Sequence, residues 1–75
     1  MSARLTIRTN HERPTAVARA VAPDNTDDME TDVQGGRVAT TIERPDVASL
    51  RATADDYLKN VRVAARASAA TAAER

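Results

Sequence analysis

From Asp46 to Arg75 the chain runs for thirty residues without Gly or Pro, and this stretch, two-fifths of the 75-residue sequence, most limits what the remainder can build. Asp46 follows Pro45 and is a good N-cap, so the helix starts there. Small or apolar residues then recur at Val47, Leu50, Ala54, Tyr57, Val61 and Ala64, spaced alternately three and four apart, the seam of a helix that packs lengthwise on another surface. Leu58 and Ala65 widen the stripe. Asp55 and Lys59 form a favourable pair four apart, and Arg62 and Arg66 lie toward the C-terminal half, where positive charge suits the helix dipole. A helix from Asp46 to Glu74 is about 43 Å long at 1.5 Å per residue, whereas a six-residue strand spans about 20 Å. Half of it must overhang any sheet that the other residues form. The overhang is Ala-rich from Ala64 onward, which leaves it prone to fray alone but lets another helix approach closely.

The segment before Asp46 supplies the sheet. Arg4 to Thr9 alternates, with Leu5 and Ile7 on one face and Arg4, Thr6 and Arg8 on the other, as a half-buried strand requires. Pro14 suits the first turn of a helix, which continues through Ala16 to Val21 until Pro23 ends it, and Val17 and Val21, four apart, face the sheet. Met29, Thr31 and Val33 alternate with Glu30, Asp32 and Gln34; beyond Gly35-Gly36, Val38, Thr40 and Ile42 alternate with Arg37, Ala39, Thr41 and Glu43. Two such runs around two glycines predict a hairpin. The expected fold is α+β, in the order βαββα: a three-stranded antiparallel sheet with two helices on one face, the second one long. Residues 1–75 are expected to form one small domain, with 64–75 as its helical tail.

The core available to that fold is thin. Fifteen residues are large and apolar, while sixteen Ala make up most of the remaining hydrophobic fraction. A chain of this size normally adds disulfides, a metal or a partner. It has no Cys, which removes disulfides, thiolate zinc sites and a cysteine nucleophile and fits a reducing, cytoplasmic setting. A partner chain is the expected remedy. No apolar run approaches the roughly 20 residues that cross a bilayer, so no membrane role is expected. Eleven basic and eleven acidic residues cancel, leaving no global field to draw in nucleic acid or an acidic membrane surface.

Catalytic chemistry finds little to work with. His11 is the only histidine, so a two-histidine metal site within one chain is excluded, and a lone His before a helix reads as a solvated loop residue. Asp24, Asp27, Asp28, Glu30 and Asp32 give no register that places glycine and glutamate where an EF-hand loop needs them. Gly35-Gly36 is a turn, since no helix N-terminus follows it. No cofactor and no metal are expected. Ten of the eleven basic residues are Arg, and Arg4, Arg8 and Arg37 share the open face of the sheet as candidates for an auxiliary RNA contact. Against that, the face carries no aromatic platform for stacking bases, Tyr57 being the one aromatic residue and lying in the helical seam.

Ala22-Pro23-Asp24-Asn25, Thr40-Thr41-Ile42-Glu43, Leu50-Arg51-Ala52-Thr53 and Asp55-Asp56-Tyr57-Leu58-Lys59-Asn60-Val61, in this order and spacing, resemble the small Pcc-type subunit of the archaeal and eukaryotic KEOPS complex. The resemblance covers Arg4 to about Ala65 and agrees with that family's βαββα fold. Arg13 in place of an acidic cap, Pro45-Asp46-Val47-Ala48 and the Ala-rich end depart from the pattern.

What the resemblance implies is a non-catalytic subunit of the machinery that installs threonylcarbamoyladenosine on tRNA. In that family the subunit pairs through its own fold, with itself or a paralogue, and its helices pack on those of the ATPase-fold catalytic subunit, so that one dimer holds two catalytic subunits. The partner-facing candidates carried over are Val17, Val21, Leu50, Ala54, Tyr57, Leu58, Val61 and Ala65. The same stripe must also cover Leu5, Ile7, Val33, Val38 and Ile42, and periodicity does not divide it between core and partner. The tRNA is then reached through the complex. The alternative is a free-standing dimeric RNA-binding module that uses the Arg-bearing sheet face; a small enzyme has only the acidic cluster in its support.

Overall fold

The computed structural model describes residues 2–73, with side chains described for 2–68. Its elements are β1 (Ala3–Asn10), α1 (Pro14–Val21), β2 (Met29–Gln34), β3 (Arg37–Arg44) and α2 (Val47–Ala73), the βαββα order read from the alternation and the turn signals. All three strands are antiparallel neighbours in one sheet, ordered β1-β3-β2. β3 is the central strand, and Val38, Thr40 and Ile42 on its inward face are all fully buried.

The register fixes the two faces. Leu5, Ile7 and Thr9 stand opposite Ile42, Thr40 and Val38, and Met29, Thr31 and Val33 stand opposite the same three from the other side. These nine residues make the face that the helices cover. Gln34 pairs directly with Arg37, so Gly35-Gly36 is a two-residue turn. Only Gly35 has positive φ, at 62°, the pattern of a II′ hairpin, whose twist matches that of the flanking strands.

Helix α1 begins on Pro14 without a side-chain cap, since Arg13 at the N-cap offers no acceptor. It ends at Val21, as the sequence predicts. Pro23 stops the α-helical ladder, yet the chain continues through a 3-10 turn, Ala22–Asp24, closed by the N–H of Asn25 on the carbonyl of Ala22 at 3.0 Å. The missing N–H of Pro23 falls where a first turn leaves N–H groups unbonded in any case.

Helix α2 starts as its sequence demands: the Asp46 carboxylate accepts from the N–H of Ser49 at 2.7 Å. With 27 residues it is about 40 Å long, and it sets the longest dimension of the molecule, 48 × 21 × 17 Å. The tail beginning at Ala64 is helical through Ala73; Glu74 and Arg75 lie outside the described residues.

Candidate protein-interaction surface

The α2 seam divides into a buried and a half-covered part. Ala54, Tyr57, Val61 and Ala64 join Val17 and Val21 of α1 and Val38 and Ile42 of β3 in one core cluster. Leu50 and Ala65 are half-buried and pack against that cluster from its margin. Leu58 is also half-buried but lies outside it. Of the eight partner-facing candidates, the fold therefore buries Val17, Val21, Ala54, Tyr57 and Val61 in the protomer and leaves Leu50, Leu58 and Ala65 accessible.

Helical spacing explains the division. Val47, Leu58 and Ala65 are separated by 11 and 7 residues, which return to within about 20° on a helix. They share one flank of α2, beside the buried stripe. Val47 is 72% exposed at one end of this flank. Val63, 66% exposed, belongs to neither group, and no periodic signal singles it out.

Tyr57 is held by a chain of hydroxyls. Its phenolic oxygen accepts from Thr40 at 2.6 Å; the hydroxyls of Thr40 and Thr31 are 2.8 Å apart; and Asn25 donates its side-chain amide to Thr31 at 2.7 Å. The chain ties the loop after α1 to both hairpin strands and to α2. Burial raises the pKa of the Tyr57 phenol above its ordinary value, and the bond from Thr40 partly offsets this.

The opposite sheet face is polar and its charges are sorted by strand. Arg4 and Arg8 stand on β1, Glu30 and Asp32 on β2, and Arg4 lies directly across from Glu43 on β3. Between them is a shallow concavity of about 300 Å³ lined by Thr6, Arg8, Glu30, Asp32, Ala39 and Thr41. Its floor is made by Ala39 and by the Thr6–Thr41 hydroxyl pair, 3.0 Å apart. Arg37 is set away from Arg4, at the hairpin end beside Gln34 and Asn10. The three arginines thus share a face, as their alternation predicts, but do not converge.

Within the acidic run, Asp28 pairs with Arg44 and Asp32 accepts from the N–H of Val33 at 2.9 Å. His11 hydrogen-bonds the Thr9 hydroxyl at 2.7 Å from the loop before α1. No described helix is long and apolar enough to cross a membrane. What the molecule presents is a long helix with one flank uncovered.

The family model described as transcription factor Pcc1 matches residues 2–68, which takes in every strand, α1 and most of α2. The chain belongs to the Pcc1 family. Members of this family are small subunits of the KEOPS complex, and membership places the chain among the components of a multi-subunit assembly connected with tRNA modification. Comparison with curated proteins and with solved structures returns no match.

Proposed function

We propose that this chain is the non-catalytic dimerisation and scaffold subunit of a KEOPS complex in the cytoplasm, where it supports threonylcarbamoyladenosine modification of tRNA by bridging catalytic subunits through its helices. Beside family membership, the observation that carries the reading is Leu58, a large apolar side chain in mid-helix that is half-covered and stands apart from the packed core. A helix of the ATPase-fold catalytic subunit laid along the flank of Val47, Leu58 and Ala65 would cover it, with Leu50 at the margin. Val17, Val21, Ala54, Tyr57 and Val61 act from beneath by holding α2 in place. Dimerisation, with itself or a paralogue, sets two such flanks in one assembly. Chemistry and cofactors belong to the partners, and Arg4, Arg8 and Arg37 are available as an auxiliary RNA contact in the assembled complex.

Co-purification from the native source, with partners identified by mass, is the first test, and the catalytic subunit is expected among them. Reconstitution is the second. The purified chain alone is expected to turn nothing over and to raise tRNA threonylcarbamoylation when added to the other subunits. Turnover by the chain alone, or no effect on addition, would sink the reading.

A further inference from the structure

Two arginines are set into the uncovered flank of α2 itself. Arg51 is seven residues before Leu58 and Arg62 four after it, which places them within about 20° and 40° of Leu58 around the helix. Both are exposed, as are Lys59 and Arg66, which border the flank on the side away from the buried stripe. The one acid among them is Asp55, four residues from Arg51 and four from Lys59. It closes an ion pair with neither: among the described residues the only ion pair is that of Arg44 with Asp28. The chain as a whole is neutral, so four basic residues beside one acid make a local surplus. The helix dipole does not account for Arg51, which lies near the N-terminal end of α2, the end that favours anions.

This placement constrains what can cover Leu58. An occupant that buries Val47, Leu58 and Ala65 also lies over the stems of Arg51 and Arg62 and strips water from their guanidinium groups, and a cation left desolvated and unpaired is strongly unfavourable. The occupant must therefore bring acceptors to two points about 16 Å apart along α2. Leu58 lies between those points and needs apolar cover, as does Val47, 72% exposed at the end of the flank. A nucleic-acid backbone does not supply it. An amphipathic helix supplies both, an apolar seam and carboxylates along its border.

We infer that the partner helix seated on this flank is acidic, with the carboxylates of two residues three turns apart accepting from Arg51 and Arg62. The inference rests on the proposed function and names the chemistry of the surface that the catalytic subunit presents. Arg rather than Lys at both points suits the task, because a guanidinium engages a carboxylate through two parallel N–H donors. The rim also steers the encounter: a positive border that meets a negative one speeds association, and salt screens the effect.

The test uses the full chain and the purified catalytic subunit, with binding followed at low and at high salt. The double variant Arg51→Glu, Arg62→Glu is expected to remain folded by circular dichroism, to bind about tenfold or more weakly than the parent at low salt, and to lose most of the parent's salt dependence. Leu58→Ala is expected to weaken binding with the salt dependence unchanged. Arg19→Glu, on the exposed side of α1, should change neither. Carbodiimide joins an amine to a carboxylate in contact, and it is expected to couple Arg51→Lys and Arg62→Lys to Asp or Glu residues of one partner helix. Binding by the double variant with the parent's strength and salt dependence, or a complex in which neither new lysine couples, overturns the acidic partner; where Leu58→Ala still weakens that binding, the flank and the proposed function stand. A folded Leu58→Ala that binds as the parent does overturns the flank and the inference together. Binding of tRNA by the chain alone that the double variant loses and Leu58→Ala keeps would assign both arginines to phosphate and overturn the inference as well.

Discussion

Thr40 and Tyr57 meet at 2.6 Å, the Thr40 hydroxyl donating to the phenolic oxygen, in a contact where neither side chain is more than 2% exposed. It is a polar bond through the middle of a thin apolar core. β3 buries one polar residue, Thr40, and α2 carries its one aromatic residue to that point. Thr31 and Asn25 extend the bond to β2 and the loop, so the lengthwise position of α2 on the sheet is set by hydrogen-bond geometry, which tolerates less sliding than a row of Val and Ala.

Tyr57→Phe should therefore cost about 1–2 kcal/mol in thermal or urea unfolding, because the buried Thr40 hydroxyl loses its acceptor. Thr40→Val should cost a similar amount, and the double variant less than the sum, since the two share one bond. The cost depends on pH. The folded state raises the Tyr57 pKa above its unfolded value of 10.0, so the unfolded phenol ionises first and the parent loses stability as pH rises above about 10. Tyr57→Phe lacks that ionisation, and the gap between the two should narrow in that range and stay constant from pH 6 to 9.

Leu58→Arg should leave the fold intact and weaken binding to the catalytic subunit, because a charge then sits unpaired in a desolvated helix–helix contact. The adjacent Tyr57→Ala is the contrast: it empties a fully buried site and should cost about 3–5 kcal/mol. Lys59→Ala, on the exposed face, should change neither property. Circular dichroism, a thermal melt and a pull-down separate the three cases; a folded Leu58→Arg that binds as the parent does would remove the flank of α2 from the interface.

Gly35→Ala should destabilise by about 1 kcal/mol, since φ of 62° is a conformation that an L side chain adopts at a cost. No atom lies within 4 Å of the added Cβ at either glycine, so the effect is purely of the backbone, and Gly36→Ala should cost less than half as much. Equal costs in denaturant unfolding would show that the turn does not have the II′ form.

Local chemistry wrote most of the secondary structure into the sequence. The alternation from Arg4 to Thr9, the two glycines between alternating runs, Pro14 at a first turn and Asp46 before a stretch free of Gly and Pro each act within a few residues, and each reappears as β1, the hairpin, α1 and the capped α2. The Pro23 signal was legible only as a stop for the α-helix; the 3-10 turn over Ala22–Asp24 depended on how the following segment returns to β2. Periodicity also names a face without naming what covers it. Tyr57 and Leu58 are neighbours in one stripe, yet one is sealed beneath the helix and the other stands at its flank, a difference of about 100° of helical rotation that only the position of α1 and β3 resolves. The same holds for the edges: β1 and β2 are both alternating strands, and nothing local distinguishes them. Placing β3 between them, and folding Thr26 and the Asp32 carboxylate onto the outer N–H groups of β2, left β1 as the open side of the sheet, because hydrogen-bond satisfaction is a property of neighbours in space.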